Sequence, residues 1–102
     1  MASRLTLHEV FCTILNSRNV YFQPPESLKI EYPCIKYSVS GVDVKRANDH
    51  LYLTKMRYEV IYISKNPDSM LVEEILKRFP MSRFDRTYIA DNLYHNVFTI
   101  YY

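Results

Sequence analysis

The chain has 102 residues, enough for one domain around one hydrophobic core and too few for two. Thirteen Lys and Arg against eleven Asp and Glu leave a net charge of +2, far short of the excess carried by proteins that bind by neutralising many phosphates. Ten tyrosines are many for this length and suit half-buried strands and interfaces, while no apolar run approaches the about 20 residues that span a membrane.

Leu7, Val10, Phe11, Ile14 and Leu15 recur at helical spacing and predict a first helix. Thr6 and Glu9 are spaced as its capping box, with Leu5 and Val10 as a hydrophobic staple, and Ser3 is an alternative cap one turn earlier. Asn16-Ser17-Arg18-Asn19 ends it. Val20-Tyr21-Phe22 runs into Gln23-Pro24-Pro25, which forbids helix and interior strand there, so a packed loop is expected. Tyr32 to Ser40 reads as a strand with Pro33 at its start, Cys34, Lys36, Ser38 and Ser40 on one face and Ile35, Tyr37 and Val39 on the other.

Gly41, the single glycine, opens a polar stretch too long for a tight turn, which predicts a protruding loop or an extended, partly unpaired arm. Leu53 to Ser64 is a second long strand. Asn66-Pro67-Asp68 reads as a helix start, with Asn66 as cap and Pro67 at the first helical position. The second helix then buries Leu71, Val72, Ile75, Leu76 and Phe79 and stops at Pro80. Phe84 to Ile89 predicts a strand, Ala90-Asp91-Asn92 a turn, and Leu93 to Tyr102 a return strand. The expected architecture is a single α+β domain over residues 1–102, an antiparallel sheet of three to five strands with both helices on one face.

Val97 to Tyr102, VFTIYY, is uncharged and rich in β-branched and aromatic residues, a composition that self-associates when exposed. One of its faces, or its free edge, is therefore expected to meet a neighbouring subunit.

The clearest chemical motif is His8-Glu9-Val10-Phe11-Cys12, a zinc-helix spacing with cysteine in the second ligand position. It lacks a third ligand, which catalytic zinc requires, so the expected roles are structural: Glu9 at the cap, His8 half exposed, Cys12 in the core. Cys12 and Cys34, behind an amino terminus without signal-peptide character, read as reduced apolar residues of a cytosolically made protein. His50 and His95 have no carboxylate or thiol at ligand spacing. One glycine is too few for a phosphate-cradling loop of either common kind. A basic cluster of Lys77, Arg78, Arg83 and Arg86, interrupted by Asp85, leaves open a tyrosine-rich sheet surface for single-stranded nucleic acid, without the motifs of known sheet-surface RNA binders. No catalytic residue, metal site or cofactor is expected.

The opening helix, NVYFQPP, YPCIKY, YEVIYISKNPDS and SRFDRTYIADNLYHNVFTIYY together resemble the small tail-completion proteins of tailed bacteriophages, most closely those of long-tailed phages of Gram-positive bacteria, over nearly the whole chain. The element order is also similar to that of the lambda-type tail terminator fold. The resemblance implies a structural, non-enzymatic protein that forms a ring, typically a hexamer, on the head-proximal end of the tail tube, ending tube growth and joining tail to head. Its partners would be itself, the major tail tube protein and a head-side connector or neck protein, with no membrane and no specific nucleic acid, although DNA passes through such a ring. Its location would be the virion tail or neck, and the host cytoplasm during assembly. A head-completion protein of the same neck is the nearest alternative. The connection from Val42 to His50 is where subunit or tube contacts are expected, at Arg46, Asn48 and Asp49, with Arg83, Arg86, Tyr101 and Tyr102 as further interface candidates; a solvated loop is the plainer reading of the first three.

Overall fold

The computed structural model describes residues 3–47 and 50–102, with the backbone alone for 43–47 and 50–54. Helix α1 covers Arg4–Leu15, β1 Val20–Phe22, β2 Cys34–Ala47, β3 His50–Ser64, α2 Leu71–Arg78, β4 Ser82–Ala90 and β5 Leu93–Tyr101. The strands form one sheet in the order β1-β2-β3-β5-β4, antiparallel throughout except for the parallel β1–β2 pair. The expected α+β class is what the chain adopts, with a mixed sheet.

Helix α1 starts where Ser3 Oγ accepts the Leu5 N–H at 3.2 Å, so Ser3 is the cap and Thr6 lies inside the helix. Glu9 pairs instead with Arg18 beyond the other end, at 2.9 Å, and caps nothing. Asn16 closes the helix in the left-handed conformation, φ 57°. The second helix begins later than Asn66 and Pro67 suggest. Asn66 Oδ1 accepts the Asp68 N–H in a side-chain turn, Ser69 Oγ accepts the Leu71 N–H, and the helix proper starts at Leu71. Its Glu73 and Glu74 sit in the first turn and Lys77 and Arg78 in the last, in the sense the helix dipole favours.

Val20-Tyr21-Phe22 is a strand, not a loop. It pairs in parallel with Ile35-Lys36-Tyr37, extended by Ile35 N–H to Asn19 C=O at 3.0 Å and Gln23 N–H to Tyr37 C=O at 2.9 Å. Pro24 and Pro25 stop it at three residues on the edge of the sheet, where a missing N–H costs nothing. A parallel pair needs a crossover, and residues 23–33 supply it on the side away from the helices, where Ile30 packs on Cys34, Ile63 and Leu93.

Strand pleating gives the sheet two unlike sides. Phe22, Tyr37, Val60, Phe98 and Phe84 form one row across all five strands on the helix side, where Leu7, Phe11, Leu15, Ile75 and Phe79 cover the sheet's centre. The adjacent row, Tyr21, Lys36, Ile61, Val97 and Arg86, lies on the other side, which neither α1 nor α2 covers.

Two expectations about the strands change. Of the two forms expected for the polar stretch after Gly41, the extended arm is the one described, and it is paired: β2 and β3 continue as a ladder to Ala47 opposite His50, and beyond Val42 and Met56 no third strand lies beside this ribbon among the described residues. Gly41 itself takes no positive φ; it lies opposite Arg57 next to a bulge, and the Arg57 guanidinium occupies the space a Cβ would fill. The second change concerns VFTIYY. Strand β5 lies between β3 and β4, so it has no free edge to offer a neighbour; the free edge at that end of the sheet belongs to β4. Phe98 and Ile100 are fully buried under the helices, while on the other side Val97 is 1% exposed and Thr99 and Tyr101 are half-buried.

Candidate interaction surface

The zinc-like spacing on α1 is put to another use. Arg4 donates to the Tyr37 hydroxyl oxygen at 3.2 Å, which leaves the hydroxyl proton for His8 Nδ1 at 2.7 Å. Burial first, and then the Arg4 charge, hold the His8 pKa below 6.5, in keeping with a neutral, accepting imidazole. Cys12 is buried in the core. Cys34 is buried on the other side of the sheet, where desolvation pushes its thiol up to about 11. Among the described residues no three His, Cys, Asp or Glu side chains gather as metal ligands.

The open side carries an ordered polar array instead. On β4 a bulge places Asp85 as an extra residue between Phe84, opposite Phe98, and Arg86, opposite Val97. Thr99 Oγ1 donates to Asp85 Oδ2 at 2.7 Å and Arg83 Nε to Asp85 Oδ1 at 2.7 Å; the Thr99 bond, then Arg83, hold the carboxyl below its usual range. Arg86 lies 5.6 Å from the centre of the Tyr88 ring, and Tyr88 stacks on His95 across the strands at 4.7 Å and 15°. Towards the base of the arm, Arg57 bonds Ser40 through its Nε and NH2 nitrogens, at 3.2 and 2.9 Å. A shallow hollow lined by Lys36, Ser38, Glu59 and Ile61 lies on the same side.

Strand β4 is exposed along nearly its whole length. The bond from Tyr101 N–H to Met81 C=O and the reciprocal pair between Tyr102 and Met56 fix which way each β5 residue points its backbone. By the alternation of an antiparallel ladder, Arg83, Arg86 and Tyr88 direct N–H and C=O inward to β5, and Ser82, Phe84, Thr87 and Ile89 direct theirs outward to the free edge.

The structure therefore brings Arg83, Arg86 and Tyr101 together on the open side and separates them from Tyr102, which lies on the helix side, edge-on to Phe79 at 6.0 Å. Arg46 is in the arm, opposite Leu51, and Asn48 and Asp49 lie outside the described residues. The basic cluster does not form one patch, because Lys77 and Arg78 belong to the helix layer and Arg83 and Arg86 to the opposite side of the sheet. Residues the sequence reading missed are Arg57, Tyr88 and His95. Alternation carried a signal for them, but only strand pairing shows that Tyr88 meets His95 and that Arg57 closes over Gly41.

No family model, curated protein or solved structure matches the chain.

Proposed function

We propose that this chain is a structural assembly subunit of the phage tail-completion kind. In this reading it forms a ring, a hexamer, that caps the head-proximal end of a tail tube, with the tube protein and a head-side connector or neck protein as partners and no catalysis. The observation that carries the reading is the two-stranded arm formed by β2 and β3 beyond Val42 and Met56. An isolated two-stranded ribbon is at best marginally stable in water, so a protein that invests in one presents it to another chain. A ring of identical subunits needs two unlike patches in contact; the arm and the body of a neighbour meet that requirement.

The test replaces residues 44–54 with an Asn-Gly turn, so that the paired Asp43 and Lys55 flank a two-residue hairpin connection. The folded, shortened protein should lose ring formation and binding to purified tail tubes, both read by light scattering and negative-stain microscopy. Unchanged assembly and tube binding would refute the role of the arm, and a full-length protein that is monomeric at every concentration and ignores tail tubes would refute the function.

A further inference from the structure

The free edge of β4 carries an arrangement that the ring reading does not use. In an uninterrupted strand, outward-facing residues are spaced two apart. Here the bulge at Asp85 sets the second pair three residues from the first, giving Ser82, Phe84, Thr87 and Ile89. That set is symmetric about the Asp85–Arg86 peptide. Consequently one antiparallel register of β4 against a copy of itself, and one alone, lets all four outward-facing residues pair with outward-facing residues.

We propose that β4 is a homodimer interface, in which two copies join their free edges antiparallel about a two-fold axis at the Asp85–Arg86 peptide and form a continuous ten-stranded sheet. Phe84 then exchanges backbone hydrogen bonds with the partner's Thr87, and Ser82 with the partner's Ile89. The side chains agree with this register. Ser82, Phe84, Thr87 and Ile89 all lie on the helix side, and Arg83, Asp85, Arg86 and Tyr88 all lie on the open side, so every cross-strand pair is made between side chains of the same face. On the open side Asp85 falls opposite the partner's Arg86 and Arg86 opposite the partner's Asp85, two reciprocal ion pairs at the axis. Arg83 falls opposite the partner's Tyr88. On the helix side Phe84, 38% exposed, and the partner's Ile89 are diagonal neighbours, and Ile89, 66% exposed in the single chain, gains an apolar contact.

Charges and bulges commonly guard an edge against pairing. In this case the charges alternate so as to complement themselves when the strand is reversed. The two bulges lie opposite one another, so the extra residue on one strand is matched by the extra residue on the other. Strand β4 contains neither proline nor lysine, the residues most used to block an edge. This inference stands apart from the ring, which needs unlike patches, whereas the β4 contact uses one patch twice.

Two charge variants and their mixture test it. Arg86→Asp sets two acids opposite two acids across the axis, and Asp85→Arg sets two arginines opposite two arginines, so each alone should be monomeric by sedimentation where the wild type is a dimer. Mixed in equal amounts they should recover a heterodimer, because every acid again faces an arginine. Amide hydrogen exchange gives the second reading: the outward Phe84, Thr87 and Ile89 N–H groups should be protected in the wild type and exchange freely in each variant, with the inward Arg86-position and Tyr88 amides slow in both. Ile89→Pro removes one outward donor without touching the β5 ladder and should weaken the dimer while leaving that ladder slow. Free exchange at Phe84 and Thr87 in the wild type, or a mixture that stays monomeric, would overturn the proposal. A larger ring whose β4 amides exchange freely would refute this interface and leave the ring standing; a wild type of two subunits with those amides protected supports the interface and counts against the ring.

Discussion

Replacing Tyr37 with phenylalanine removes one oxygen atom from the centre of the fold. The ring is 2% exposed and touches Phe22, Phe11 and Tyr58 at centroid distances of 5.0, 5.2 and 6.0 Å, contacts that phenylalanine keeps. What is lost is the hydroxyl, with its bond from Arg4 and its bond to His8. Both of those partners are only half-buried, so each can turn to water and no polar group is stranded in the core. The cost should therefore be that of exchanging hydrogen bonds, about 1–2 kcal/mol. Tyr37→Ala removes the ring as well and should cost about 3–5 kcal/mol, the range for deleting a buried aromatic side chain. Urea unfolding followed by circular dichroism separates the two, and the smaller loss corresponds to a fall in Tm of about 4–8 °C per kcal/mol for a domain near this size. A Tyr37→Phe protein as unstable as Tyr37→Ala would show that the hydroxyl, not the ring, organises the core. A fully stable one would show that Arg4 and His8 gain nothing from it.

Three further outcomes follow from the same geometry. Since the folded His8 has a pKa below 6.5, the unfolded chain takes up a proton that the folded chain refuses; stability should fall as pH drops below about 6.5 and level off beneath the folded value, and His8→Gln should flatten this part of the urea-midpoint profile relative to wild type. Gly41→Ala should displace the Arg57 guanidinium from Ser40, so it should be near neutral in the wild type and stabilising by about 0.5–1 kcal/mol in an Arg57→Ala background, where the space is free and the φ is ordinary; a double-mutant cycle by urea unfolding reads the difference. The Cys34 thiol, held up to about 11 by burial, should be inert to a disulfide reagent at neutral pH and become titratable only in denaturant; fast labelling of Cys34 in the native protein would contradict its burial.

The elements were legible in the sequence wherever their cause is local. The stripe Leu7, Phe11, Leu15 and the alternation from Cys34 to Val39 specify their own conformation, because side-chain periodicity is fixed by backbone geometry. So does the Asp91-Asn92 turn, where two residues that tolerate positive φ take φ 52° and 62° and close a tight hairpin. Short-range signals failed where a competing local use was open to the same residue. Asn66 caps a turn before it caps a helix, and Glu9 is drawn to Arg18 rather than to the first turn of α1.

Among the interface candidates, Arg83, Arg86 and Tyr101 lie on one side of the sheet and Tyr102 on the other, and the basic cluster read for nucleic acid divides in the same way, with Lys77 and Arg78 in the helix layer. Which side of the sheet a residue joins depends on pairing with strands distant in the chain. A single extra residue such as Asp85 reverses that choice for everything after it.

The amino-acid sequence by itself determined two amphipathic helices, long strands on either side of the arm, and a last strand too apolar to stand uncovered. Only the tertiary structure decided how that strand is covered. VFTIYY is inserted between β3 and β4, so its backbone groups are paired on both sides, and the unpaired edge passes to Ser82–Ala90, a strand with charges at its centre. Strand order arises from which long-range pairings bury the most apolar surface at once. A segment's own composition states how much it needs burial, and the rest of the chain determines where it finds it.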